Sequence, residues 1–162
     1  MSFNIADLFE HAVDAVGDRT ALIIGDTSRS YAELDERANR LANRFLADGI
    51  AKGDHIGIHG INSEAWMVAM LAAFKISAVP ININYRYVAD ELAYLFDNAD
   101  LVAVVHDATY APIIAEVAPR IDGLGRFYVV DDGTATAERI ARGMAVVPEN
   151  RRIFPKLTVL EN

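Results

Sequence analysis

The chain has 162 residues, of which 52% are hydrophobic, and this is enough for one domain with a sizeable core. Fifteen Lys and Arg against 23 Asp and Glu give a formal net charge of −8, which argues against partners such as nucleic acid or an anionic membrane surface. The lack of cysteine excludes disulfides, a thiolate nucleophile and thiolate metal sites. Small molecules or proteins are therefore the expected partners.

The amino-terminal residues do not have the pattern of a secretory signal. Acidic side chains at Asp7, Glu10, Asp14 and Asp18 stand where such a signal needs a basic start and an unbroken apolar run. No apolar run is long enough to predict a transmembrane segment. We therefore expect a cytoplasmic location.

Apolar spacing alternates between helical and strand periods along the chain. This alternation is typical of successive β-α-β units. The predicted fold class is α/β, with an open, mostly parallel sheet and helices on both of its faces. The predicted helices cover residues 4–16, 30–49, 63–74, 88–98 and 110–117, and the predicted strands cover 21–24, 55–59, 79–83, 101–106 and 127–130.

Three local signals refine these elements. Ser30 and Glu33 have the spacing of a capping box, which predicts a helix start at Ser30. Pro80 lacks a ladder donor, so its strand is expected to start there or to lie at a sheet edge. Residues 101–106 form an apolar run that favours a central strand covered on both faces.

The four histidines raise the question of a metal or general-base site. His55 and His59 lie four residues apart in a predicted strand, about 13 Å by strand rise, too far for one metal ion. His106 and Asp107 are the better functional candidates, because ligands of open α/β sheets collect at the carboxyl ends of strands. The alternative is that His106 is an ordinary residue at a loop edge.

Two further patterns have a functional and a structural reading. Gly53, Gly57 and Gly60 do not match the dinucleotide-binding spacing, so phosphate binding is not favoured there. Trp66, Met67 and Met70 could line an acyl pocket, but their helical spacing favours plain core packing.

The segment Tyr85-Arg86-Tyr87 could stack on a base. The acidic overall charge favours instead a loop that anchors the next helix.

Composition changes after Asp131, which predicts a seam near residues 131–138. The predicted domains are residues 1–132, an α/β subdomain, and residues 133–162, a tail. Five of the 15 basic residues lie in this tail, and they either form a solvated face or dock on the acidic body. These five residues are Arg139, Arg142, Arg151, Arg152 and Lys156.

Residues 29–34 (RSYAEL), 53–71 (GDHIGIHGINSEAWMVAML) and 72–82 (AAFKISAVPIN) resemble three spaced segments of the AMP-forming acyl-CoA synthetases, and fatty-acid–CoA ligases are the branch implied. The resemblance covers residues 1–130 in one collinear stretch, the first subdomain of that family's amino-terminal domain. Ser77 departs from it, since the family usually has glycine there, so a slightly different turn geometry is expected.

The resemblance implies a two-step reaction. A carboxylate attacks the α-phosphate of ATP to give an acyl-adenylate, and coenzyme A then displaces AMP, with magnesium neutralising the phosphate charge. The family's phosphate loop (TSGTTGxPKG), its acidic ribose motif and its carboxy-terminal lysine segment do not occur in these 162 residues. We therefore assign no catalytic, cofactor-binding or metal residue and no cofactor to this chain, and expect it to be inactive alone.

Residues 138–162, especially 143–162 (GMAVVPENRRIFPKLTVLEN), resemble the Q-loop region of ABC transporter ATPases, above all the branched-chain amino-acid importers. Glu149 stands where many of those ATPases have the glutamine that senses magnesium and water. The Walker A, Walker B and signature motifs are absent from these residues, so no ATP hydrolysis is expected. The combined interpretation is a fusion of two protein families.

An isolated opening subdomain would leave apolar surface uncovered, which favours a homo-oligomer. The tail strand at residues 144–147 is a candidate for exchange between copies or addition to a sheet edge. Two functions remain open: a ligase-derived chain with low affinity for an acyl or adenylate ligand, and an inert oligomerising module.

Overall fold

The computed structural model describes residues 4–131 and the backbone of residues 145–148. It divides into two compact units, and neither unit is one continuous stretch of the chain. We call residues 4–52 and 62–78 the helical unit, and residues 53–61, 79–131 and 145–148 the sheet unit. The predicted seam and the boundary at 132/133 lie outside the described residues.

The helical unit contains three helices and one hairpin. Its elements are α1 (Ile5–Val16), β1 (Thr20–Ile24), β2 (Thr27–Ser30), α2 (Tyr31–Ala47) and α3 (Glu64–Lys75). Strand β2, which pairs antiparallel with β1, is absent from the predicted elements. Its sequence, Thr-Ser-Arg-Ser, has no apolar alternation, so only the pairing with β1 makes it a strand.

Side-chain caps set the beginnings of these helices. Asn4 caps α1, and Ser63 caps α3 by accepting the Trp66 N–H at 3.2 Å. The predicted capping box of α2 is confirmed, because Glu33 N–H donates to Ser30 Oγ at 3.2 Å and Ser30 N–H donates to the Glu33 carboxylate at 2.8 Å.

The buried side of the helical unit comes mainly from α2 and α3. Helix α2 buries Leu34, Ala38, Leu41, Ala42 and Phe45, and α3 buries Val68, Ala69, Leu71, Ala72 and Ala73.

Other apolar side chains of the helical unit are less buried. Trp66, Met67 and Met70 are only partly buried. In α1 the apolar residues Ile5 and Leu8 are 56% and 58% exposed.

Ion pairs link the polar faces of the same helices. The side chain of Lys75 is 3% exposed, contacts Glu10, and lies 2.9 Å from Asp35. Glu64 accepts from Arg29 at 2.9 Å and lies 3.0 Å from Arg37. Elements α1, α2, β2 and α3 are therefore connected by matched charges as well as by apolar packing.

Helix α3 ends in a Schellman motif at Ser77. Ser77 N–H donates to Phe74 O at 2.9 Å, and Ala78 N–H donates to Ala73 O at 2.9 Å. Ser77 has a φ of +58°, the left-handed conformation that glycine adopts most readily. The serine therefore takes up a glycine-like turn at this helix end.

The sheet unit contains one parallel sheet, and the predicted α/β class with a parallel sheet flanked by helices is confirmed. Its strands are β3 (His55–His59), β4 (Val79–Ile83), β5 (Leu101–Asp107), β6 (Arg126–Asp131) and β7 (Ala145–Pro148), in the spatial order β4-β3-β5-β6-β7. Its helices are α4 (Ala89–Asn98) and α5 (Ala111–Val117), and a 3-10 turn, Ala108–Tyr110, precedes α5.

The strand order agrees with two sequence predictions, and it also contains a strand in the tail. Pro80 lies in β4, which is an edge strand, and β5 is the central strand with most of its residues buried. The tail strand, predicted at 144–147, is observed at Ala145–Pro148, where its backbone pairs parallel with β6.

A buried apolar cluster joins the sheet to α4 and α5, and Gly57 makes room for it. A Cβ at Gly57 would lie 2.6 Å from Ile83 Cδ1 and 2.8 Å from Leu101 Cδ1. The members of the cluster are Ile83, Leu92, Ala93, Phe96, Leu101, Val104, Ile114, Val117, Ile121 and Leu124. Gly57 is thus explained by packing rather than by phosphate binding.

Within the described residues, no helix combines the length and the apolar character needed to cross a bilayer.

Candidate functional site

The strand order places a switch point between β3 and β5. After β3 the chain continues to β4 on one side, and it then returns to β5 on the other side of β3. In open parallel sheets, the carboxyl ends of the strands at such a point are the usual place for a binding site. The side chains at the ends of β3 and β5 are therefore the first candidates.

His59 is the last residue of β3, and its register partner His106 stands one position before Asp107, the last residue of β5. Because adjacent strands in register present paired side chains on the same face, the two imidazoles are neighbours. Their residues are 0% and 1% exposed. We call His59, His106, Asp107 and Tyr110 the carboxyl-edge cluster.

His59 is buried without any hydrogen bond at either ring nitrogen. Its ring packs against the ring of Tyr110, with 4.6 Å between centroids and an angle of 34° between planes. Burial, and next the proximity of His106, lower the pKa of His59 from 6.5 to about 4. The ring is therefore neutral at pH 7.

Asp107 holds the loop that follows β3. Its Oδ2 accepts the backbone N–H of Ile61 at 3.0 Å, and a Cβ at Gly60 would lie 2.6 Å from the same oxygen. Burial raises the pKa of Asp107, and the hydrogen bond from Ile61 opposes that rise. Gly60 thus allows the loop to approach the carboxylate closely.

Tyr110 closes the cluster from the 3-10 turn after β5. Burial raises the pKa of its hydroxyl, and the proximity of Asp107 and then of Tyr85 raises it further. Within the described part of the chain, no three His, Asp or Glu side chains converge as a metal site would require. The cluster is suited to packing and hydrogen bonding.

The segment after β4 supports the structural reading of Tyr85-Arg86-Tyr87. Arg86 N–H donates to Asn84 Oδ1 at 3.0 Å, and Tyr87 N–H donates to Asn84 O at 3.1 Å, which forms a turn. Val88 N–H then donates to Glu91 Oε2 at 3.0 Å at the beginning of α4. The Arg86 guanidinium lies 5.4 Å from the Tyr85 ring centroid.

The histidines separate into two roles. His55 Nδ1 lies 2.6 Å from Ala99 O and so ties the start of β3 to the end of α4. The structure brings His106 and Asp107 together with His59 and Tyr110, a grouping that the sequence analysis missed. The sequence does show that two predicted strands, 55–59 and 101–106, end in histidine. That observation predicts the grouping only if β3 and β5 are known to be neighbours.

The sequence matches one known family along most of its length. The family described as AMP-binding enzyme matches residues 9–156. This match passes through the predicted seam at 131–138 and into the tail.

Named relatives agree with this match. A medium/long-chain-fatty-acid–CoA/3-oxocholest-4-en-26-oate–CoA ligase of Mycobacterium marinum is 48% identical over 134 residues, which are 83% of this chain and 24% of that protein. A 3-oxocholest-4-en-26-oate–CoA ligase of Rhodococcus rhodochrous is 47% identical with the same two coverages. The chain therefore spans about a quarter of the length of these curated relatives.

Solved structures support the fold. The crystal structure of the N-terminal domain of FACL13 from Mycobacterium tuberculosis has a TM-score of 0.74 and 25% identity to this chain, and the match covers 87% of this chain and 36% of that one.

Proposed function

Because the chain belongs to the AMP-binding enzyme family, we propose that it forms the opening α/β portion of a carboxylate–CoA ligase. The proposed substrates are medium- and long-chain fatty acids or acids with a steroid-linked aliphatic chain. The observation that carries this proposal is the 48% identity to the Mycobacterium marinum ligase over 134 residues.

Two observations support the proposal that these residues do not form a triphosphate or magnesium site. The space beside Gly57 is filled by apolar core side chains, and the space beside Gly60 is filled by the Asp107 carboxylate. Neither glycine therefore leaves room for a phosphate. The described residues also contain no cluster of three metal ligands. ATP, magnesium and coenzyme A are therefore proposed as reactants of the complete ligase, and no step of their chemistry is assigned to these residues.

We expect residues 1–162 to make no acyl-adenylate by themselves. The test is a pyrophosphate-release assay on the purified chain with ATP, magnesium and either a fatty acid or 3-oxocholest-4-en-26-oate. Rates equal to those of a blank are expected. Acyl-adenylate that forms with the wild type and is lost in a variant such as His106→Gln would contradict the proposal.

Residual ligand affinity separates the two readings of the chain. In thermal unfolding, a shift that saturates with fatty acid, AMP, ATP or coenzyme A supports a ligase-derived binding portion. Flat curves with all four compounds support an inert module instead.

Self-association is the second part of the proposal. Exposed apolar side chains occur in both units, with Ile5 and Leu8 in the helical unit and Val88 and Tyr94, 61% and 71% exposed, in the sheet unit. Light scattering at micromolar concentration is expected to show a dimer or larger species. A monomer at every concentration would contradict this expectation.

Two further expectations stay predictions. One is the cytoplasmic location. The other is the resemblance of residues 138–162 to an ABC transporter ATPase, and most of these residues lie outside the described part of the chain. Related genomes would test it. A fusion predicts that the DNA on the two sides of the seam belongs there to two separate genes.

A further inference from the structure

The buried His59 ring has no place for a second proton. In the neutral state one ring nitrogen carries hydrogen and the other does not, and both are buried without a hydrogen-bond partner. Protonation would add a second N–H donor and a full positive charge to the same site. Such a charge needs an acceptor or water, and His59 is 0% exposed.

The groups around His59 do not supply that acceptor. From β5, the register partner His106 opposes a positive charge, and the Asp107 carboxylate accepts from Ile61 N–H. From the 3-10 turn, the ring of Tyr110 packs against His59. An aromatic ring attracts a cation and would raise the pKa of His59. The pKa is lowered instead, so burial has the larger effect. From β4, the register partner is the apolar Ile83.

We propose that proton uptake by His59 opens the carboxyl edge of the sheet. In the open state the ring reaches water, and the Ala108–Tyr110 turn and the loop at Ile61 separate from the end of β3. This acid-driven opening is a property of the sheet unit and does not depend on the proposed ligase function.

The direction and size of the effect follow from linkage. A hydrated His59 takes up its proton from about pH 6.5 and the buried one only near pH 4, so the open state binds more protons between these values. The opening equilibrium constant should then rise about tenfold for each pH unit lost, and about 300-fold in total.

Asp107 acts in the opposite direction. Because burial raises its pKa, a proton on Asp107 binds more tightly to the closed edge than to the open one. The rise in the opening constant should therefore become shallower at the acid end of the range. Asp107→Asn removes this opposing proton and keeps an oxygen that can accept from Ile61 N–H, so the rise should stay steep.

Amide hydrogen exchange measures the opening directly. Ile61 N–H donates to Asp107, and Ala111 N–H donates to Ala108 O within the turn, so both amides report on this edge. In the full 162-residue chain, after correction for intrinsic rates, both opening constants should rise about tenfold per unit below pH 6.5.

Variants assign the effect to one ring. His59→Phe keeps an aromatic ring against Tyr110 and cannot be protonated, so the opening constants of Ile61 and Ala111 should no longer rise in acid. His11→Phe makes the same change at an exposed histidine of the helical unit and should leave the wild-type slope intact. An unchanged slope in His59→Phe would overturn the proposal.

A measurement without mutation covers the case in which His59→Phe does not fold. Nuclear magnetic resonance of the wild-type imidazoles should show that His59 stays neutral at pH 5.5 while the chain is folded. A His59 ring that titrates near its ordinary value of 6.5 in the folded chain would equally overturn the proposal.

Discussion

The two units bury polar side chains in different ways. In the helical unit, Lys75 is nearly fully buried but contacts two carboxylates, and Glu64 lies beside two arginines. In the sheet unit, His59 is buried with no partner at either nitrogen. The first arrangement tolerates charge because charges are matched, and the second tolerates only the neutral form.

This difference shows where each unit obtains its stability. Matched charges in the helical unit hold α1, α2 and α3 together across their polar faces. The sheet unit depends on tight apolar packing beneath its strands, and at the carboxyl edge on a ring that must stay neutral. Substitutions that remove a charge partner, a proton site or packing space should therefore act differently in the two units.

The largest effect is expected from Lys75→Met in the helical unit. This change leaves the partly buried Asp35 without its ion-pair partner and should lower the free energy of unfolding by about 3 kcal/mol. Urea denaturation at pH 7 measures the loss. Arg44→Met, which removes an exposed pair with Asp48, is the matched control and should cost only about 0.4 kcal/mol. Equal losses in the two variants would mean that burial of the ion pair does not matter.

A loss of similar size is expected in the sheet unit when the pH is lowered. Because the unfolded chain binds a proton on His59 from about pH 6.5 and the folded chain only near pH 4, this residue should remove about 3 kcal/mol of stability across that window. Urea denaturation at successive pH values, with wild type and His59→Phe side by side, measures its share. Parallel curves for the two proteins would assign the acid sensitivity to other groups.

The packing beneath the sheet is tested by Gly57→Ala. The added methyl group would overlap Ile83 and Leu101 in a buried strand, so the free energy of unfolding should fall by about 2 kcal/mol. Gly125→Ala is the matched control in the same unit, because a Cβ there meets no atom within 4 Å. If both variants unfold at the same urea concentration, the close packing around Gly57 is not a source of stability.

The smallest effects are expected at two helix ends of the helical unit. Gly49, with a φ of +79°, and Ser77 both follow a helix in the left-handed conformation. Gly49→Ala should therefore cost about 1 kcal/mol. Ser77→Gly should gain about 0.5 kcal/mol, since relief of strain is partly offset by backbone entropy and by loss of the Asn4 contact. A stability change of the same sign in both variants would show that backbone strain is not the deciding factor.

Much of the fold could be predicted because local chemistry and long-range packing agree. Ser30 and Glu33 form the capping box that their spacing predicts, and residues 101–106 lie in the central strand that their apolar run predicts. Strand β2 and the turn at Ser77 could not be predicted in the same way. Strand β2 forms because it pairs with β1. The turn at Ser77 forms because hydrogen bonds end α3 there, although serine does not favour a left-handed backbone.

The candidate site was predicted only in part. His106 and Asp107 could be selected because ligands gather at the carboxyl ends of strands. Their grouping with His59 and Tyr110 depends on β3 and β5 being neighbours, which residues separated by more than 40 positions do not reveal. The Asp107–Ile61 hydrogen bond has the same origin.

The amino-acid sequence by itself determined the α/β class, the main helices and strands and the family, because apolar periods, caps and spaced motifs are written in consecutive residues. Only the tertiary structure decided which histidine is buried without a hydrogen-bond partner, which glycine lies against core side chains that leave no room for a Cβ, and which lysine lies between two carboxylates. These properties depend on distances between residues far apart in the chain, and burial and charge act through distance in space.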